Sequence, residues 1–150
     1  GWDAGVRGAQ NAHANLIAAG MPDTTPVYFA VDFDVTLAQM DAIHDCLRGA
    51  ASVIGWERVG VYGGWLVIEE CSIRETAKWF CQTLAWMYGR GWHPKAHLHQ
   101  YAFNYYVDGT NADKVRAVTE DYGQARRPPE IPPQSPVPTF PAPWEPEGYA

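Results

Sequence analysis

The sequence is poor in charged residues, and basic side chains are the scarcer sign. Charged residues make up 19% of the chain, and 11 Lys and Arg against 17 Asp and Glu give a net charge of −6. Only Arg126 and Arg127 form a basic pair. A nucleic-acid surface needs a stripe of cations that neutralises phosphates. We therefore expect no nucleic acid as the main partner.

Long apolar runs, cysteine motifs and phosphate-binding loops are also missing. No apolar run approaches the ~18 residues that span a bilayer, and no signal segment opens the chain; we expect no membrane partner. Cys46, Cys71 and Cys81 match no zinc or CxxC spacing, which leaves buried free thiols or one disulfide. The segment Gly60–Gly64 lacks the lysine and spacing of a nucleotide-binding loop.

Prolines are rare until the end of the chain. Nine of the 12 prolines lie between Pro128 and Ala150, and this texture predicts an extended, disordered tail or linker. The hydrophobic content of 47% indicates a globular core in the remainder. We therefore predict one domain over residues 1–127 and a Pro-rich tail over residues 128–150. Because the chain starts at Gly1 without a methionine, we expect a fragment or a processed form.

Hydrophobic periodicity alternates between helix and strand along the first half of the chain. This alternation predicts an α/β fold with a mostly parallel sheet. The predicted helices cover Asp3–Ala19, Thr36–Ile54, Trp65–Ile73 and about Ala112–Tyr122, and the predicted strands cover Val27–Asp34, Arg58–Tyr62, Lys78–Trp86, Ala96–Phe103 and Tyr105–Val107.

Carboxylates stand at the end of the first predicted strand. Asp32 and Asp34 are two residues apart, so on a strand both point to one face, at the carboxyl end where ligands gather. The alternative is that Asp34 caps the next helix. Tyr62 ends the second strand at the same rim, or serves as a core residue. Asp113 follows the turn at Asp108, where it either faces the carboxylates or caps a helix.

Further polar residues lie on the later predicted strands. Gln82 and Trp86 belong to the third strand. On the fourth, His97 and His99 share one face and Gln100 lies on the other. A histidine pair is able to bind metal, but no third ligand is marked by the spacing. We expect an ordinary polar strand face, no metal and no cofactor.

Aromatic residues are plentiful, with seven Trp, eight Tyr and five Phe. Aromatic faces stack on sugar rings, and carboxylates protonate a glycosidic oxygen or stabilise an oxocarbenium ion. Acidic strand ends among many aromatics therefore indicate a carbohydrate site. The alternative is that the aromatics form core.

Five segments occur in an order that resembles a known family, the glycoside-hydrolase-like domains of bacterial secreted and phage proteins (domain of unknown function 1906), which are related to family 25 lysozymes. The resemblance covers about Gly1–Tyr122. The segments are YFAVDFD from Tyr28, VGVYGG from Val59, QTLAW from Gln82, HLHQY from His97 and VDGTNAD from Val107.

The resemblance implies a TIM-type (β/α) barrel that acts on, or binds, bacterial cell-wall glycan (peptidoglycan). Asp34 corresponds to the general acid, and Asp32 or Asp113 to a carboxylate that stabilises the positive transition state. The expected site residues are Asp32, Asp34 and Asp113 for catalysis and Tyr62, Gln82, Trp86 and Gln100 for substrate binding.

The sequence departs from the family pattern at two points. Asp34 replaces the glutamate of the lysozyme relatives, which shortens the acid by one methylene. The chain also starts inside the expected third helix, so only strands four to eight are expected, and an upstream segment or a second chain would complete the barrel. The alternative function is a non-catalytic cell-wall-binding or structural module of a phage tail, lysis or secreted protein. Either function implies an extracellular or virion-associated location.

Overall fold

The computed structural model describes residues 1–125, and these form a mixed α/β unit. Short 3-10 turns precede α2 and β2. The helices of this part of the chain are α1 (Trp2–Ala18), α2 (Met40–Ile54) and α3 (Trp65–Ile73), and its strands are β1 (Val27–Ala30), β2 (Val59–Gly63), β3 (Trp79–Thr83), β4 (Leu98–Val107) and β5 (Thr110–Ala117). The predicted tail over residues 128–150 lies outside the described residues.

The five strands form one curled sheet, a half-barrel, in the order β1-β2-β3-β4-β5. Strands β1 to β4 run parallel, and β5 returns antiparallel to β4. The predicted α/β class with a mostly parallel sheet is therefore confirmed. Within the described residues the sheet does not close, because β1 and β5 each keep one unpaired edge.

Side chains alternate between the two faces of each strand, and this parity separates core from site. On β2, Val59 and Val61 are fully buried among the helices, whereas Tyr62 points to the concave face. These valines pack against Leu47 of α2 and Ile68 of α3, and the burial of this apolar surface supplies the main hydrophobic stabilisation. The concave face is left for polar residues of the site.

The helices expected before residue 74 are confirmed. Helix α1 ends in a Schellman motif: Gly20, at φ 71°, donates its N–H to the Ile17 carbonyl, and Met21 donates to the Leu16 carbonyl. The 3-10 turn leading into α2 starts at Thr36, which forms a capping box with Gln39. Thr36, and not Asp34, is therefore the cap.

Two predicted strands end earlier than expected. Strand β1 ends at Ala30; Val31 still donates its N–H to the Tyr62 carbonyl (2.8 Å), but the segment from Asp32 to Asp34 leaves the sheet. The apolar run in the sequence continues past Ala30 because Val31 packs in the core, and not because the strand pairing continues. Strand β3 ends at Thr83, so Trp86 lies in the loop beyond it.

The helix predicted over Ala112–Tyr122 is wrong. Asp108 (φ 48°) and Gly109 (φ 79°) form a two-residue turn, and the chain returns as β5 against β4. Positive φ at both central residues is the geometry of a type I′ hairpin, for which Asp-Gly is a preferred sequence. The short strand predicted at Tyr105–Val107 is the end of β4.

Helices α1 and α2 cross with their backbones in contact. A Cβ atom added to Gly5 would lie 1.8 Å from the Cys46 carbonyl oxygen, and one added to Gly49 would lie 2.3 Å from the Trp2 carbonyl oxygen. Only glycine fits at either position, because the atom that a side chain would meet belongs to rigid backbone.

An apolar groove of about 510 Å³ runs beside the free edge of β1. Phe29 and Ala30 line it from the strand, and Ile43 and Leu47 from α2. The expected completion of the barrel by an upstream segment or a second chain stays a prediction. Among the described residues, no helix has both the length and the apolar character of a membrane span.

We predict opposite effects for two glycine substitutions within α1. Gly5→Ala should lower the free energy of unfolding by about 1–3 kcal/mol, because the new methyl group forces the helices apart. Gly8→Ala is the matched control: its Cβ would meet only the Phe29 ring at 3.7 Å, and the helix should gain about 0.5–1 kcal/mol. Urea unfolding of both variants measures this. Equal stability of the two would contradict the close crossing.

We also predict that acid destabilises the fold through His44. Its side chain is fully buried, Nδ1 lies 2.9 Å from Thr76 Oγ1, and Nε2 has no partner among the described residues. Burial lowers the pKa of His44 in the folded state, so the unfolded chain binds more protons below its ordinary pKa of about 6.5. The free energy of unfolding should therefore fall as pH decreases below that value. Urea unfolding between pH 7.5 and 5.5 measures the slope; His44→Gln should flatten it, and an unchanged slope would refute the assignment.

Candidate functional site

The candidate site lies on the concave face, where β1 to β3 end beside the first half of β4. Tyr62 is the fourth residue of β2, and Gln100 pairs with Thr83 across β3 and β4. Tyr62 pairs with Cys81, which lies two residues before Thr83 on β3, so the side chains of Tyr62, Thr83 and Gln100 all point to the concave face. Tyr62 reaches past β3 to Gln100, since Cys81 and Thr83 on the intervening strand are small.

A chain of hydrogen bonds links two carboxylates in this site. The Tyr62 hydroxyl lies 3.4 Å from Asp32 Oδ1 and donates to Gln100 Oε1 at 2.8 Å. Gln100 Nε2 in turn donates to Asp113 Oδ2 at 2.7 Å. Burial, reinforced by the charge of Asp32, raises the pKa of Tyr62. The phenol therefore keeps its proton and orients the Gln100 amide toward Asp113.

These residues line an open cavity of about 230 Å³ with aromatic walls. Its lining residues are Asp32, Tyr62, Thr83, Ala85, Trp86, Gln100, Phe103 and Asp113. We call this cavity the mouth. It contains two carboxylates, and no Lys or Arg stands among the described residues that line it, so the mouth carries negative charge. Such a site favours a substrate or transition state that develops positive charge.

Asp34 lies beside the mouth in an adjoining cleft. The Tyr88 hydroxyl donates a hydrogen bond to Asp34 Oδ1, and this bond raises the pKa of Tyr88. Trp86 lines both the cleft and the mouth. The expectation that Asp32 and Asp34 point to one face is wrong, because both residues follow the strand and strand alternation does not apply to them.

Gln82 does not reach the mouth. Register places it beside Gly63 and His99 on the convex face, and its side chain is fully buried. Its Nε2 donates to the Gly91 carbonyl, and its Oε1 accepts the His93 N–H at 2.6 Å. The amide therefore holds the loop before β4, and the expected contact with sugar hydroxyls is not available to it.

The two histidines lie on the face opposite Gln100, as the alternation predicts. His97 stacks on Phe80, and its Nδ1 accepts the Phe80 N–H at 3.1 Å. His99 stacks on Trp92 with ring centroids 4.0 Å apart. Within residues 1–125, no three side chains of His, Cys, Asp or Glu are grouped to hold a metal ion.

The cysteines of the described residues are free thiols. Burial raises the pKa of Cys71 and of Cys81 to about 11, so both stay protonated at neutral pH. Of the two alternatives given by the sequence, the structure shows free thiols.

The structure brings five of the seven predicted residues together and adds three that the sequence did not reveal. Asp32, Tyr62, Trp86, Gln100 and Asp113 share the mouth. The additions are Thr83, Phe103 and Tyr88. Thr83 lies on β3 directly beside Gln100 on β4, so strand alternation in the sequence indicates that both side chains share a face. Phe103 reaches the site through a β-bulge and Tyr88 through a loop, and neither feature follows from the sequence pattern.

Comparisons with known proteins agree with this architecture. A family described as Rv2525c-like, glycoside hydrolase-like domain matches residues 1–121. Among curated proteins, the chain is 32% identical over 127 residues to a protein of Mycobacterium tuberculosis (strain ATCC 25618 / H37Rv) named "Putative peptidoglycan hydrolase Rv2525c". That alignment covers 83% of this chain and 52% of the relative, so the chain spans about half the length of that protein.

Two crystal structures of the Mycobacterium tuberculosis Tat-secreted protein Rv2525c are similar to the fold. The complex with L-tartrate has a TM-score of 0.79 and 31% identity, and covers 83% of this chain and 62% of that one. The complex with HEPES has a TM-score of 0.76 and 32% identity, with 83% and 61% covered. Sequence and structure thus agree over most of the chain, which belongs to the Rv2525c-like glycoside hydrolase-like domain family.

Proposed function

We propose that this domain binds bacterial cell-wall glycan in the mouth and hydrolyses its glycosidic bonds. The supporting observation is the hydrogen-bonded chain from Asp32 through Tyr62 and Gln100 to Asp113, set between aromatic walls. Family membership adds support, because the curated relative carries the name "Putative peptidoglycan hydrolase Rv2525c". No cofactor enters the proposal.

The mouth suits the charge that develops when a glycosidic bond breaks. The sugar ring passes through an oxocarbenium-like transition state, which a nearby carboxylate stabilises. Asp113 takes this role in the proposal because Gln100 holds one of its oxygens at 2.7 Å and leaves the other for the substrate. Asp32 adds negative charge from the opposite side of Tyr62. Trp86 and Phe103 offer faces on which sugar rings stack.

Asp34 is proposed as the general acid. A glycan lying across Trp86 would touch both the mouth and the Asp34 cleft, since this indole lines both. Protonated Asp34 would pass its proton to the glycosidic oxygen as the bond from carbon to oxygen breaks. A water molecule would then form the new bond to the anomeric carbon and return a proton to Asp34, which completes hydrolysis. Tyr88 remains a hydrogen-bond donor to the carboxylate that forms.

A non-catalytic wall-binding module, secreted or part of a phage tail or lysis protein, is the second candidate. Large exposed aromatics around the mouth favour it: Tyr88 is 62% exposed and Phe103 is 51% exposed. Such side chains bind sugars without any chemistry. Both candidates place the protein where it meets the cell wall, and the Tat-secreted relative supports export over a virion.

We predict that Asp34→Asn abolishes hydrolysis and leaves glycan binding intact. Loss of a general acid typically lowers kcat by about 10²–10⁴-fold, while the amide keeps the size of the side chain. Release of reducing ends from purified peptidoglycan measures turnover, and near-UV circular dichroism checks folding. Asp113→Asn should lower kcat as well.

Asp23→Asn is the matched control, because Asp23 is an exposed carboxylate in the loop before β1, at the other end of the strands. It should turn over like the wild type. Full turnover by Asp34→Asn would remove Asp34 as the acid. A folded wild type without turnover that still binds glycan would overturn the hydrolase and support the wall-binding module.

We predict that Trp86→Ala weakens glycan binding by about tenfold, the usual cost of removing a central aromatic contact. Both candidate functions share this expectation, since the indole forms the wall between the two cavities. Trp56→Ala is the matched control: Trp56 is 41% exposed and precedes β2 at the opposite end of the sheet. Co-sedimentation with peptidoglycan measures binding. Equal affinities of the two variants would exclude Trp86 as a sugar platform.

A further inference from the structure

The β4–β5 hairpin has a convex face that combines aromatic rings with cations. Ladder pairing places His99 opposite Arg116 and Ala102 opposite Lys114, so both cations point to the face of His99. Asp113 and Phe103 point the other way, into the mouth. We call the convex group the hairpin strip; it consists of Trp92, His99, Tyr101, Tyr105, Lys114 and Arg116.

Each cation of the strip lies over aromatic rings. Lys114 Nζ is 3.4 Å from the Tyr105 ring centroid, and the Arg116 guanidinium lies 5.5 Å from Tyr101 and 6.0 Å from Trp92. Neither cation forms a salt bridge within the described residues. A cation held by a ring face keeps its N–H groups free for an anion.

The two tyrosine rings of the strip are accessible, whereas His99 is buried beneath the Trp92 ring. Tyr101 is 40% exposed and Tyr105 is 48% exposed. Helix α3 contacts β2 and β3, whereas the main partner of β4 beyond its sheet neighbour β3 is β5. The strip is therefore an open face with paired ring and cation positions along its length.

We propose that the hairpin strip is a second docking surface for cell-wall glycan and recognises its free carboxylates. This inference rests on the proposed function only for the identity of the polymer. Tyr101 and Tyr105 would stack on sugar rings, while Lys114 and Arg116 would bind carboxylates of the peptides attached to the glycan. The domain would hold one glycan strand on the strip while another occupies the mouth.

Charge complementarity favours a carboxylate-bearing glycan over a nucleic acid. The chain carries a net charge of −6, so a polymer with a phosphate at every unit would be repelled by most of the surface. A sugar strand that carries carboxylates at intervals would place one carboxylate near Lys114 and another near Arg116, with its sugar rings against Tyr105 and Tyr101. The acidic mouth and the basic strip also lie on opposite faces, which keeps the two functions separate.

The test uses the full chain and purified sacculi freed of phosphate-bearing polymers. Lys114→Gln/Arg116→Gln should bind about tenfold more weakly at low salt, since two charge contacts together contribute about this factor. The matched control is Arg7→Gln/Arg48→Gln, which removes the same charge at two exposed positions on α1 and α2 and should bind like the wild type. The wild type should likewise bind about tenfold more weakly to sacculi whose carboxylates have been amidated.

The measurement is made in the Asp34→Asn background, so that hydrolysis does not consume the polymer. Equal binding by the strip variant and its control would overturn the inference. Undiminished binding to amidated sacculi would overturn the carboxylate assignment, as would a preference for the phosphate-bearing polymer or for a single-stranded oligonucleotide. If the wild type proves unable to hydrolyse glycan, the hydrolase proposal fails while a charge-dependent binding difference still supports the strip.

Discussion

The alternation of side chains along hydrogen-bonded parallel strands is the constraint on which the site depends. Once β2, β3 and β4 are in register, Tyr62, Thr83 and Gln100 must share the concave face, and Val61 and Phe80 must face the helices. The 2.8 Å bond from Tyr62 to Gln100 then crosses β3 without any adjustment of the loops. A slip of one residue would bury these polar groups among helices and expose the valines.

The scaffold holds this register through close packing on the convex side. The crossing of α1 and α2 at Gly5 and Gly49 leaves no room for a Cβ atom at either position, so the helices form a rigid layer against the sheet. The polar ends of the strands bear little of this packing. They are free to carry exposed carboxylates, a feature that would be costly in the core.

Opposite charges lie on the two faces of the β4–β5 hairpin. Asp113 belongs to the acidic mouth, and its neighbours in β5, Lys114 and Arg116, belong to the basic strip. Adjacent residues of one strand thus carry opposite charges to opposite faces of the sheet. A protein of net charge −6 therefore has a local positive patch on one face of the hairpin and an acidic cavity on the other.

Local periodicity in the sequence was enough to predict the α/β class and helices α1 to α3. The rule that parallel strands end at one edge placed Asp32 and Tyr62 together, whereas Trp86, Gln100 and Asp113 joined the predicted site with the help of the family resemblance. The sequence also predicted Gln82 as a substrate-binding residue and Ala112–Tyr122 as a helix, and the structure contradicts both. The face that Gln82 occupies depends on pairing with β2 and β4, and the hairpin depends on β5 finding β4. Neither point could be predicted from local patterns, since strand register and long-range pairing are set by contacts between segments distant in the chain.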